Sequence, residues 1–311
     1  MKIAVMGAGA LGGYFGGRLA QAGQEVWLIA RGAHLAALQA DGLRIASPLG
    51  DAHVTDIHAT GDPGEVGQAD VVLFMVKNRD VESAAEAIKP MLRDDTLVVT
   101  CQNGVSAHER LGAVIGDHHV VPGVARIPAS IPTPGTVKHD SEFETLLFGE
   151  VDGHSSERCQ RLADALNESP AASALLTNTI LNDLWAKFCS QSALASLTTL
   201  TGLDIGPLRE NPVSAQLFQD AIAEACSVAT AVLPDFPMTE QAKYWGFIQR
   251  LPGTMHASML DDLRVGKPLE HEYISGEVVR LGAKHSVPTP IHSVLYAALK
   301  PTADRLEAAA S

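Results

Sequence analysis

The sequence predicts a doubly wound α/β domain built on a parallel sheet, followed by an all-α domain. Apolar strand-like runs alternate with helical stretches through the first half. A glycine-rich turn joins the first strand to the first helix, and from about Asn178 helical periods broken by proline and glycine replace the strand pattern. The boundary is expected between residues 176 and 177, giving domains over 1–176 and 177–311.

Ile3 to Met6 is a short apolar strand that runs into Gly7-Ala8-Gly9-Ala10-Leu11-Gly12. A helix follows to about Ala22, and Gly23-Gln24 turn the chain into the strand 25–30, which completes a βαβ unit. Further strands read at 70–76 and 96–102, each followed by a helical stretch. Between them, 42–60 holds two alternating runs around Pro48 to Asp51, the pattern of a hairpin excursion. The β-prone pieces 118–126 and 144–150 are expected to finish the domain. In such a sheet the ligand crevice lies at the carboxyl ends of the strands.

A GxGxxG motif alone is weak, but here it ends a strand and opens a helix. Gly7 permits a tight turn, Gly9 lets backbone approach a pyrophosphate, and Gly12 lets helix and sheet pack closely. The helix N-terminus then offers N–H groups and a positive dipole end to phosphates. At the end of the second strand, an NAD-binding chain usually carries an acid for the ribose 2′-hydroxyl. Here Ala30 and Arg31 stand there instead. A guanidinium can fork onto a 2′-phosphate, so the expected cofactor is NADPH; the other reading of Arg31 is a solvated surface charge. Lys77 and Asn103-Gly104 also follow predicted strands, where they serve either turn chemistry or the site.

In the second half, helical periods fall at 179–201, 213–233, about Thr239 to Gln249, 255–264, 270–286 and 291–309. A dinucleotide domain joined to a helical one is expected to hold substrate at the junction. In the first of these helices, Ile180, Leu184, Lys187, Gln191 and Leu194 share a stripe widened by Trp185, Phe188 and Leu197. A lysine in an apolar stripe either lets its head escape to water or meets a carboxylate or ligand. Desolvation would lower its pKa towards the range useful to a general acid, and a nearby carboxylate would oppose that shift. Glu270 and Glu272 are the acidic candidates, with Leu269, Tyr273, Val278 and Leu281 as the apolar face of their helix. Glu270 falls in the expected first turn, so it reads equally as a dipole-stabilised end residue or a site residue. Ser258 reads as a helical serine or as a substrate contact.

Of the residues, 46% are hydrophobic and 19% charged, an ordinary globular composition. The formal charge of −13 argues against a nucleic-acid partner or an anionic membrane surface, so an anionic ligand must find local positive charge. Cys101, Cys159, Cys189 and Cys226 are widely spaced, as expected of reduced thiols in a cytoplasmic protein. The N-terminus lacks a signal-peptide pattern, no apolar run reaches membrane-span length, and the histidines show no metal-ligand spacing; no metal is assigned. The long helical half offers surface for a homodimer.

Together, Gly7-Ala8-Gly9-Ala10-Leu11-Gly12, Lys77, Asn103-Gly104, Leu184-Trp185-x-Lys187, Ser258-Met259-x-x-Asp262, and Glu270 with Tyr273 and Gly276 make the chain resemble the ketopantoate reductase (2-dehydropantoate 2-reductase) family over essentially its full length. The resemblance implies a Rossmann-type domain followed by a helical domain. It also implies NADPH-dependent reduction of a 2-oxo acid, 2-dehydropantoate to (R)-pantoate, in cytoplasmic pantothenate biosynthesis. Lys187 matches the family's catalytic lysine, which protonates the carbonyl oxygen, and Glu270 matches the glutamate that holds the substrate hydroxyl. Asn103 would sit between nicotinamide and substrate, and Ser258 would help hold the carboxylate. The early glycines and Arg31 match cofactor positions, and Lys77 matches a lysine on the nicotinamide side.

Where better-characterised members carry substrate-facing asparagines four and eight residues after the lysine, this chain has Gln191 and Ala195. Glutamine keeps an amide with longer reach, while alanine can make no hydrogen bond, and a site that loses such a partner loses discrimination. Reductase chemistry is expected to survive, with the particular 2-oxo acid or related carbonyl substrate left open. A non-enzymatic NADP-binding sensor would account for the glycine turn and Arg31, but gives Lys187, Glu270 and Ser258 no purpose.

Overall fold

The computed structural model describes residues 1–237 and 241–310. Two compact units result: Met1–Gln102 with Ser106–Leu181, and Asn103–Val105 with the chain from Asn182 onward. The short segment Asn103–Val105 thus packs with the second unit although its neighbours belong to the first.

In the first unit, β1 (Lys2–Met6), α1 (Ala10–Gln21), β2 (Glu25–Ile29) and α2 (Gly32–Asp41) lead to the hairpin of β3 (Leu43–Ala46) and β4 (Ala52–Val54), and then to β5 (His58–Thr60). Next come β6 (Val71–Phe74), α3 (Val81–Ile88), β7 (Leu97–Thr100), α4 (Ala107–Ile115), β8 (Val120–Arg126), β9 (Ala129–Thr133), β10 (Thr136–His139), β11 (Thr145–Phe148), α5 (Glu157–Asn167) and β12 (Ser173–Leu176). The main sheet runs β12-β11-β8-β7-β6-β1-β2-β5, and a second sheet runs β4-β3-β10-β9.

From β8 across to β5 the main sheet is parallel, but β8 and β11 pair antiparallel. The parallel sheet expected from the sequence is present from β8 to β5, with one antiparallel pairing added at this end. Between β8 and β11 the chain makes the β9–β10 hairpin of the second sheet rather than a crossover helix, and only a parallel return demands such a crossover.

Both faces of the central strands are covered. Ile3 and Val5 of β1 enter one core with Tyr14 and Phe15, while Ala4 and Met6 enter another with Ala84, Ile88 and Leu111. That is why these strands read as continuous apolar runs. α1 lies between the two sheets and uses glycines on both sides. A Cβ on Gly16 would stand 2.9 Å from Leu28 and Val5 of the main sheet, and one on Gly17 would stand 2.7 Å from Leu43 of the second.

In the second unit, α6 (Ile180–Thr201), α7 (Ile205–Glu210), α8 (Pro212–Val232), α9 (Gln241–Arg250), α10 (Ser258–Arg264), α11 (Ser275–Lys284) and α12 (Pro290–Ala310) follow in order. The start of the helical period expected at Thr239 lies outside the described residues; α9 covers the rest. Asn211 caps α8 by accepting from the N–H of Val213 at 2.9 Å, with Pro212 at the first helical position. Glu224 of α8 serves the start of α12, accepting from the N–H groups of Ile291 at 2.7 Å and His292 at 2.9 Å.

α6 is buried almost all round, and hydroxyls tie it to its neighbours. Ser192 meets His292 of α12 at 3.3 Å, Ser196 meets Ser275 of α11, and Thr198 accepts from the N–H of Ala257 at 3.5 Å. A single helix expected over 270–286 is instead a 3-10 turn, His271–Tyr273, then α11. Ile274, with φ −112° and ψ −95°, breaks the helical path between them.

Candidate active site

In the first unit the candidates stand at the carboxyl ends of neighbouring strands. β1 ends at Met6 and the chain turns at Gly7 with φ 92°, a region that favours glycine. A Cβ on Gly7 would come within 3.0 Å of the Met75–Val76 backbone, so the turn presses against the chain leaving β6. The N–H of buried Ala8 donates to Ile29 O at 2.9 Å, tying the turn to the end of β2. Gly12 has no room for a side chain, since a Cβ would collide with the Gly7 carbonyl oxygen.

Gly9 differs: a Cβ there meets nothing within 4 Å. Packing within the protein gives no reason for glycine at this position, and the open space beside it suits the approach of a phosphate. Ala10 and Leu11 begin α1, whose first turn holds no acid and no side-chain cap. Its leading N–H groups and positive dipole end can therefore serve an anion.

Arg31 is exposed at the N-cap of α2, immediately after β2 and Ala30. Lys77 is exposed at the start of the short turn that follows β6. That turn is fixed from α4, where Arg110 donates to Asn78 O at 2.7 Å and pairs with Glu82 at 2.7 Å. The bond from Arg110 holds the Glu82 carboxyl below its usual range. The uncapped glycine turn suits the phosphates of a dinucleotide, with exposed Arg31 and Lys77 at the ends of the neighbouring strands.

In the second unit the central observation is a hydrogen bond between residues 84 apart in sequence: Lys187 Nζ donates to Asn103 Oδ1 at 3.2 Å. Asn103 follows β7 and Gln102 and is half-buried. Next to it, Gly104 has φ 102°, and a Cβ would stand 2.9 Å from Tyr273 O. The 103–105 segment thus contacts α6 through Asn103 and the Glu270–Tyr273 stretch through Gly104. Turn chemistry alone does not account for this Asn-Gly pair.

Of the stripe expected around Lys187, Ile180, Leu184, Trp185, Phe188 and Leu197 are buried, whereas Lys187, Gln191 and Leu194 are half-buried. Asp183, Lys187, Gln191 and Leu194 are half-buried and form the accessible face of α6, while Trp185, Phe188, Cys189, Ser192, Ala195 and Ser196 are buried. Lys187 is thus neither fully buried nor fully exposed, and its ammonium meets Asn103. Glu270, expected in the first turn of a helix, instead precedes the 3-10 turn, half-buried, and its side chain makes no cap bond.

Gln191 stands one turn beyond Lys187 on the same face. Ser258 is the exposed first residue of α10, and the bond from neighbouring Ala257 to Thr198 sets it beside the C-terminal half of α6. The described contacts thus join Asn103 with Lys187 and Gly104 with Tyr273, while Ser258 stands farther along α6.

Two residues escaped the sequence reading. Asp183 shares Lys187's face at i,i+4 spacing, a signal legible in the sequence. Gln102 is 8% exposed, with its Nε2 donating to Phe74 O at 2.9 Å and Val76 O at 3.0 Å, which no sequence pattern announces. Among the described residues, no helix is long and apolar enough to cross a membrane, and no group of three or more His, Cys, Asp or Glu could hold a metal.

Comparison with known proteins covers both units. The family described as ketopantoate reductase PanE/ApbA matches residues 3–153, and its C-terminal counterpart matches 179–303. An uncharacterized oxidoreductase of Bacillus subtilis (strain 168), YkpB, is 29% identical over 301 residues, covering 96% of this chain and 98% of that one. A 2-dehydropantoate 2-reductase of Mesorhizobium japonicum is 30% identical over 321 residues, covering 96% and 97%. The crystal structure of a PanE/ApbA family ketopantoate reductase from Ralstonia eutropha JMP134 superposes with TM-score 0.90 at 32% identity, covering 99% and 100%. D-mandelate dehydrogenase, solved with NADH and anilino(oxo)acetate, shares the fold with TM-score 0.88 at 24% identity, covering 99% and 100%. The chain belongs to the ketopantoate reductase family and is an oxidoreductase that acts on a CH–OH or C=O group.

Proposed function

We propose that the chain uses NADPH to reduce a 2-oxo acid, 2-dehydropantoate to (R)-pantoate, with Lys187 as general acid. The observation that carries this reading is the Lys187–Asn103 bond on the accessible face of α6, within a family of C=O reductases. On this reading the product feeds pantothenate synthesis in the cytoplasm.

The open Gly9 turn and the uncapped start of α1 would hold the pyrophosphate, and Arg31 the 2′-phosphate. Lys77 would lie towards the nicotinamide. When bound, the reduced nicotinamide supplies a hydride to the carbonyl carbon. Lys187 holds a proton at Nζ and gives it to the carbonyl oxygen as negative charge grows there, where a positioned donor lowers the barrier most. Asn103 Oδ1 takes one of the three ammonium N–H directions and aims the others. Glu270 would hold the substrate hydroxyl, with Gln191 and Ser258 meeting the rest of the substrate, Ser258 at its carboxylate.

A second reading, another 2-oxo acid for the same chemistry, is favoured by Gln191, whose longer amide shares the half-buried face of Lys187, and a fold neighbour acts on mandelate. Ala195 is buried and does not bear on this choice. NADPH oxidation measured against a panel of 2-oxo acids tests both readings. The highest kcat/KM for 2-dehydropantoate supports the first, a clear preference for a bulkier apolar 2-oxo acid supports the second, and no turnover with any member sinks both.

A further inference from the structure

Gln102 is the last residue of the first unit before the chain passes to Asn103. Its amide is nearly buried and fully used. Both N–H groups go to main-chain oxygens, Phe74 at 2.9 Å and Val76 at 3.0 Å, and its oxygen accepts from the Thr100 hydroxyl. Phe74 ends β6, and Val76 immediately precedes Lys77. One side chain on the strand leaving β7 therefore fixes the backbone leaving β6. The orientation of the amide is settled by its partners, because the flipped form would aim an oxygen at two carbonyl oxygens.

We infer that Gln102 is a positioning residue for the reduction, setting the backbone from which Lys77 and Asn103 project. Asn103 follows directly on the peptide that the brace fixes. Only a neutral amide satisfies the site. A carboxylate cannot donate to two carbonyls, and a thioether makes neither bond.

The inference rests on the proposed reductase reading, and its test separates the two. Gln102→Met keeps the length and removes the donors. NADPH affinity should stay within about threefold, while kcat should fall about 10- to 100-fold, the scale on which slightly misplaced catalytic groups lose rate. The isotope effect with NADPH deuterated at the transferred position should rise as hydride transfer becomes slower. Combined with Asn103→Ala, the loss should be less than additive, since both changes act through one group. Amide hydrogen exchange should quicken in both 75–78 and 101–105.

A Gln102→Met enzyme within twofold of normal kcat, or effects additive with Asn103→Ala, would overturn the inference. If that variant does not fold, Thr100→Val removes only the hydroxyl that orients the amide, and should show the same pattern in milder form. A wild-type protein that reduces no 2-oxo acid would overturn the functional reading instead. The brace would then stand or fall on hydrogen exchange, with unchanged rates in both segments counting against it.

Discussion

At the residue scale, everything turns on whether Lys187 transfers a proton. Lys187→Ala should leave NADPH affinity nearly unchanged and lower kcat about 10²–10⁴-fold, the usual contribution of a general acid. Near-normal turnover on the preferred substrate would remove the lysine from the chemistry. Arg31 makes a different claim, since it concerns which dinucleotide is held. Arg31→Asp places a negative charge where a 2′-phosphate is proposed to lie, so NADPH binding should weaken far more than NADH binding. Equal losses, measured by fluorescence titration of each cofactor, would show that Arg31 does not read the phosphate. The two variants separate holding the cofactor from using it.

At the scale of elements, α1 shows how one motif contains glycines of unlike purpose. Gly12 is required by packing, because its Cβ would strike the Gly7 carbonyl, whereas Gly9 has open space beside it. Gly12→Ala should therefore destabilise the fold by about 1–3 kcal/mol, the usual cost of overpacking. Gly9→Ala, at φ −73° and ψ −158°, should melt close to the wild type yet bind NADPH at least about tenfold more weakly, because the added methyl crowds the pyrophosphate. Matched losses of stability and affinity in both variants would contradict this division. The same element was also the most legible in the sequence, because β1, α1 and β2 obey local rules: a continuous apolar run, a glycine turn and a helix. β9 and β10 were not legible, since β9 is largely exposed and contains Pro132, so no alternation marks it. α7, at six residues, is too short to show a period. The environment of Lys187 on α6 was harder to read, because a helix buried nearly all round has no single apolar face from which to orient it. Lys187 could be picked out as discordant, but whether its side was buried or reachable depended on tertiary packing.

At the scale of the whole molecule, buried titratable groups set how the protein responds to acid. His34, His119 and His271 are all held below their ordinary value of 6.5, chiefly by burial. His34 Nδ1 also accepts from the Gly135 N–H at 3.0 Å, which a protonated nitrogen could not do. Below pH 6.5 the unfolded chain binds protons that the folded imidazoles refuse, so stability must fall as pH drops from that point. Glu150 and Glu224 are displaced in the same direction for another reason. Burial would raise both carboxyls, but bonds from Arg158 to Glu150, and from His292 and the α12 N–H groups to Glu224, outweigh it and hold both below 4.5. Their contribution is present above that value and is lost as pH falls through the lower folded values. The melting temperature should therefore be level near neutrality, decline gently below about pH 6.5, and drop more steeply below about pH 4.5. Both kinds of group occur in both units, with His34, His119 and Glu150 in the first and Glu224 and His271 in the second, so each unit should show the two-stage decline. Tryptophan fluorescence can follow them apart, with Trp27 in the first unit and Trp185 and Trp245 in the second, if single-tryptophan variants are used. A melting temperature that stays flat from pH 8 to pH 5 would show that the three histidines take up protons without penalty, and the neutral, buried state assigned to them would be wrong.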